Sequence, residues 1–121
     1  MDLDLGPEDQ AFQNEVRTFL KENLTDEFLE AGRLTPAVRS PIEPTRRWAK
    51  VLAEKGWLCH PWPAEFGGPG WTAVQKYIYE LETELAGAPS INNMGLRMVG
   101  PVVMKYGTEE QKATVLPSIL N

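Results

Sequence analysis

Apolar residues recur along this chain at helical spacing, in separate stretches divided by glycine and proline. Phe12, Val16, Phe19 and Leu20 follow one another at i, i+4, i+7 and i+8, with Glu15, Arg17, Lys21 and Glu22 on the other side. That pattern predicts an amphipathic helix ending near Asn23. Pro7 suits its first position, and Glu8 and Asp9 suit the positive end of its dipole. From Thr25 to Pro44 the periodicity breaks. Phe28 and Leu29 fit one short turn of helix, but Gly32, Pro36, Pro41 and Pro44 punctuate the rest, so a surface excursion is expected. Thr45–Lys55 reads as a helix with Trp48, Val51 and Leu52 inward. Gly56 stands where a left-handed stop belongs, and Trp57 can fold back on Leu52 in a Schellman arrangement.

Further along, Thr72 with Gln75 forms a capping box that opens a helix whose expected buried stripe is Val74, Tyr77, Ile78, Leu81 and Leu85. Gly87 and Pro89 end it. Ser90 can cap a helix bearing Ile91, Met94, Leu96, Met98 and Val99. Gly100-Pro101 interrupts that helix, and Pro101 can begin a further piece through Tyr106. Gly107 is a stop, and Thr108 with Gln111 repeats the capping box before Val115, Leu116, Ile119 and Leu120; Pro117 is expected to bend or end this last helix early. No segment alternates as a strand. The expected fold is all-α: a compact domain of five or six short helices over residues 1–121, orthogonal or bundle-like.

The most unusual stretch runs from Gly56 to Trp71, where three tryptophans, three prolines and four glycines fall within sixteen residues. Proline and glycine exclude a continuous helix, while the aromatic surface demands burial, so an ordered, packed loop is expected. Gly67, Gly68 and Gly70 hint at a phosphate cradle. No Lys-Ser/Thr follows them and no G-x-G-x-x-G spacing is present, which excludes a nucleotide loop.

Charge narrows the range of partners. Twelve basic and seventeen acidic residues give a net charge of −5, unfavourable for nucleic acid. One cysteine allows no internal disulfide and suits a reducing compartment, and one histidine with one cysteine makes no zinc cluster, so no metal is expected. No apolar run of about 18 residues is present, so a membrane-free, cytoplasmic protein is expected. Glu80, Glu82 and Glu84 are spaced by two, so no pair converges for acid–base work, and a solvated face is the expected reading. Cys59 and His60 are adjacent, and in an extended segment they point apart, which favours structural roles.

Gly56-Trp57, then Trp62-Pro63-Ala64-Glu65-Phe66-Gly67-Gly68-Pro69-Gly70-Trp71, then Met98-Val99-Gly100-Pro101, and finally Tyr106 to Lys112 with Leu116-Pro117 resemble the acyl-CoA dehydrogenase family in order and spacing. The resemblance runs from about Pro7 to the end of the sequence. It implies the family's N-terminal helical domain, with the middle β-barrel and the C-terminal helical domain lying outside this sequence. It also implies a FAD cofactor, an acyl-CoA substrate, an electron-transfer flavoprotein-like acceptor and a homo-oligomer. In the family the catalytic glutamate takes the α-proton while the β-hydrogen leaves as hydride to the flavin, and that glutamate belongs to the C-terminal part. No catalytic residue is therefore expected here, and the chain alone is expected to be inactive and to retain no FAD.

The resemblance places the acyl chain along the helix expected over Ser90–Val99. On a regular helix Ile91, Met94, Gly95 and Met98 share one face, with Gly95 leaving a gap that would set acyl length. The same positions suit ordinary core. Asn93 and Arg97 form a second, polar face, and an inward-pointing Arg97 would favour thioesters with a distal carboxylate. Arg46-Arg47 suits a phosphate of CoA or a solvated helix start. Two alternatives stay open: an acyl-CoA oxidase or flavin monooxygenase on the same scaffold, and a stand-alone helical interaction module.

Overall fold

The computed structural model describes residues 4–34, 41–91 and 94–120. The described residues form six α-helices and two short irregular turns, without a strand. Helix α1, Pro7–Asn23, buries Phe12, Val16, Phe19 and Leu20, the four positions that its spacing singles out. Gly6 is its N-cap and supplies no side-chain bond.

Helix α2, Asp26–Arg33, corrects the expectation of a surface excursion. It runs for 8 residues and buries Phe28 and Ala31. The reason is tertiary: Phe28 packs its ring 5.4 Å from Trp48 on α3, which no local pattern announces. Residues 35–40, with Pro36, lie outside the described residues. Helix α3, Ile42–Lys55, starts three residues before the expected Thr45. Pro44 falls inside its first turn, where a missing N–H costs no helical bond. Gly56 at φ 82° ends the helix; its N–H donates to Ala53 and that of Trp57 to Leu52, which is the Schellman pair.

Trp57 is the hub of the core. Its ring centroid lies 4.6 Å from that of Phe19, 5.4 Å from Trp71, 5.8 Å from Tyr79 and 6.5 Å from Phe12. The loop from Trp57 to Trp71, with a 3₁₀ turn at Ala64–Phe66, thereby knits α1, α3 and α4 together.

Helix α4, Ala73–Ala86, opens on the expected capping box, with Thr72 and Gln75 bonding each other's backbone N–H. Its buried face keeps Ile78 and half-buried Val74 of the expected stripe but not the rest. Ile78, Tyr79 and Glu82 face inward against α1, while Tyr77, Leu81 and Leu85 are exposed. Two apolar stripes of equal regularity lie on this helix, and the chosen one carries a carboxylate. Glu82 is buried because α1 satisfies it: Arg17 donates to both its oxygens at 3.0 Å and Gln13 donates at 3.1 Å. The expectation of a solvated Glu82 is thus overturned.

The Ser90–Val99 stretch also departs from a regular α-helix. Met94–Val99 is a π-helical turn that runs directly into α5, Gly100–Tyr106. Helix α6, Glu109–Leu120, opens on the second capping box and continues through Pro117 to Leu120, correcting the expected early end. Helix α5 packs on both the π turn and α6.

Candidate functional site

The wide turn owes its shape to the aromatic loop. The Trp62 indole N–H donates to the Leu96 carbonyl at 2.7 Å, giving a partner to an oxygen that the i→i+5 pattern displaces. The same ring lies over Gly100, where a Cβ would come within 2.7 Å of Trp62 Cζ2. Only glycine lets the indole approach that closely.

This geometry divides the residues expected to share one face. Met94 and Met98 are exposed, at 56% and 61%. With Val102 and Tyr106, exposed at 58% and 74%, they form a run at every fourth position from the wide turn through α5. A turn slightly wider than an α-turn keeps such positions nearly in line. Gly95 is turned to the other side: a Cβ on it would lie 3.1 Å from Ile119 Cγ2 on α6. The gap at Gly95 is therefore where α6 closes on the turn. Ile91 is half-buried and lines a shallow apolar groove of 230 Å³ with Gly95, Leu58 and Ile119. Asn93 lies outside the described residues.

Arg97 is half exposed and is held by α4. Its Nη2 donates to Glu80 Oε1 at 2.7 Å, and His60 Nε2 lies 3.1 Å from the same oxygen. Burial pushes the His60 imidazole below its ordinary 6.5, outweighing the nearby carboxylate, which favours the neutral ring. For Glu80, burial works to raise the pKa, but the bonds from His60 and Arg97 win and hold it below the usual carboxylate range. Tyr79, whose ring centroid is 4.6 Å from that of His60, is pushed up to about 12 by burial. This His60–Glu80–Arg97 cluster was not legible in the sequence, where Glu80 stood as one of three spaced carboxylates.

Cys59 and His60 do point apart, though on a turn rather than an extended strand. The Cys59 thiol donates to the Gly67 carbonyl at 2.9 Å, and burial raises its pKa, which makes it a poor nucleophile. Arg46 pairs with Glu43 at 3.4 Å and Arg47 pairs with Glu27, so both are engaged by neighbouring carboxylates. Among the described residues, no group of three or more His, Cys, Asp and Glu side chains converges as a metal site. No helix there is long and apolar enough to cross a membrane.

Comparison with known proteins agrees with this architecture. The family model for the acyl-CoA dehydrogenase N-terminal domain matches residues 6–121. Acyl-CoA dehydrogenase IpdE1 of Mycolicibacterium smegmatis is 36% identical over 115 residues, covering 93% of this chain and 29% of that protein. The solved structure of a Tcur3481-Tcur3483 steroid ACAD superposes with a TM-score of 0.80 at 34% identity, over 99% of this chain and 30% of that one. The ChsE4-ChsE5 complex from Mycobacterium tuberculosis gives a TM-score of 0.78 at 32% identity, over 99% and 29%. The chain thus spans about three tenths of the length of these relatives. With the family model matched over nearly its whole length, the chain belongs to the acyl-CoA dehydrogenase family, as its N-terminal helical domain.

Proposed function

We propose that this chain is the helical wall of a FAD-dependent acyl-CoA dehydrogenase, an enzyme that forms the α,β double bond of an acyl-CoA thioester. The observation that carries the proposal is the exposed apolar run of Met94, Met98, Val102 and Tyr106. Exposed side chains of this kind, on a domain whose relatives are more than three times longer, suit contact with an acyl chain or with the rest of the protein. Met94 and Met98 are flexible enough to line an adaptable tunnel. Ile91 and Gly95 support the wall from behind, and Arg97 lies at its polar edge. Because Glu80 neutralises Arg97, acyl groups without a distal carboxylate are the proposed substrates. The steroid ACAD likeness favours a bulky acyl group.

In this reading the described residues contribute no flavin cradle. Arg46 and Arg47 are engaged by carboxylates, and the glycine-rich loop is filled by its own aromatics. FAD, the catalytic base, the middle barrel and the C-terminal helices belong in this reading to the remainder of the protein. An electron-transfer flavoprotein-like acceptor and a cytoplasmic location complete it. The paired names ChsE4-ChsE5 and Tcur3481-Tcur3483 favour an oligomer with a second, related chain over self-association.

The test is turnover by the full-length protein. Enoyl-CoA should form from acyl-CoA when an external electron acceptor is supplied, with little reaction when dioxygen is the sole acceptor. Absence of enoyl-CoA from short, long and ring-bearing thioesters alike would overturn the proposal, and full activity on dioxygen would move it to the oxidase alternative.

A further inference from the structure

The proposed wall is built from two pieces, Met94 and Met98 on the wide turn and Val102 and Tyr106 on α5. The register of the turn decides whether they form one surface. Each residue of an α-helix rotates the chain by about 100°, so tightening the turn by one residue would swing the first pair about that far from the second. The helix itself does not hold this register. In the i→i+5 pattern the Leu96 carbonyl would look to residue 101, and Pro101 has no N–H to give. A regular α pattern carried through the same position would set the Pro101 ring against the Arg97 carbonyl. Leu96 is buried, so its carbonyl needs a partner from within the protein. That partner comes from outside the helix, as the Trp62 indole N–H at 2.7 Å. Trp62 is itself buried, and its ring lies so close to Gly100 that a Cβ there would come within 2.7 Å of Cζ2.

We propose that Trp62 is a positioning residue for acyl selectivity: its indole N–H fixes the wide register of Met94–Val99 and so aligns the two halves of the wall. The proposal rests on the reading of Met94, Met98, Val102 and Tyr106 as that wall. Without the N–H, the wide register strands the Leu96 carbonyl and the tight one collides at Pro101, so neither is held. A long acyl chain crosses both pairs of side chains and loses their alignment. A short chain meets only one pair and loses little.

The experiment uses the full-length protein with 3-benzothienylalanine in place of Trp62, which keeps the ring's shape and exchanges its N–H for sulfur. Gly100→Ala is the second variant, because its Cβ pushes the indole from the Leu96 carbonyl while Trp62 stays as it is. In both, amide hydrogen exchange over residues 94–100 should quicken about tenfold, the effect of leaving one buried acceptor unpaired, with α1 and α3 unchanged. The ratio of kcat/KM for a long over a short acyl-CoA thioester should fall about fivefold. A merely structural role would lower both thioesters alike and quicken exchange throughout the domain, and that result would overturn the proposal. Wild-type exchange in the turn, or an unchanged ratio, would overturn it as well. Met98→Trp, assayed in parallel, separates the two readings. If it shifts the ratio and the Trp62 replacement does not, the register claim alone fails; if neither does, the wall reading falls with it. Should one of the two register variants not fold, the other decides.

Discussion

Replacing Trp57 by alanine tests the core of this fold at its centre. The ring is 5% exposed and meets Phe12, Phe19, Trp71 and Tyr79, so its removal opens a cavity shared by α1, α4 and the aromatic loop. Buried Trp→Ala substitutions cost about 3–5 kcal/mol, and the upper half of that range applies where four aromatic neighbours lose their partner together. The backbone bond from residue 57 to Leu52 survives the change, so the loss is one of packing. Against a total stability of about 5–15 kcal/mol for a domain, that is a large share. With a urea m value of about 2 kcal/mol/M, the midpoint should fall by about 2 M. Far-UV ellipticity is the proper readout, because fluorescence would change with the lost tryptophan itself. A midpoint shift below about 0.3 M would show that the ring is peripheral and that the hub assignment is wrong.

Two further predictions concern the buried polar groups. Arg17→Met should destabilise more than Glu82→Leu, because the first strands a carboxylate at 7% exposure while the second frees an arginine that reaches water; equal midpoints in urea would refute this. Acid should weaken the fold through His60: its folded pKa lies below 6.5, so the unfolded chain binds more protons, and stability is full above pH 6.5 and falls as pH drops through 6.5 towards the folded value. His60→Gln should flatten that part of the stability–pH curve, and an unchanged slope between pH 7 and about 5.5 would show that another group is responsible.

What the sequence disclosed was local. The spacing of Phe12 to Leu20, the two Thr-x-x-Gln boxes and the Gly56-Trp57 stop are each set within a few residues, and the structure has each of them. What it concealed depended on distant partners. Glu82 is buried only because Gln13 and Arg17, 69 and 65 residues away, supply its hydrogen bonds. Phe28 belongs to the core because of Trp48, and the π turn leans on Trp62, 34 residues from Leu96. The α4 stripe was ambiguous in principle: Tyr77, Leu81 and Leu85 repeat as regularly as the residues that are buried. At the candidate wall, the sequence named Ile91, Met94, Gly95, Arg97 and Met98, but a 3.6-residue period could not separate the outward methionines from Gly95 packed on Ile119. The Glu80 bridge between His60 and Arg97 joins positions 20 and 17 residues apart and has no sequence signature.

The central claim is that the exposed methionines line the acyl path, and one measurement addresses it directly. Met98→Trp in the full-length protein fills the space in front of the turn, while leaving the Trp62–Leu96 bond and the Gly95–Ile119 contact in place. The quantity is kcat/KM for a short and a long acyl-CoA thioester, with thermal unfolding as the control for folding. The account predicts that the long thioester loses at least about tenfold more than the short one, as expected when transition-state binding is lost along one part of the substrate. Equal losses on both thioesters, or no loss on either, would contradict it.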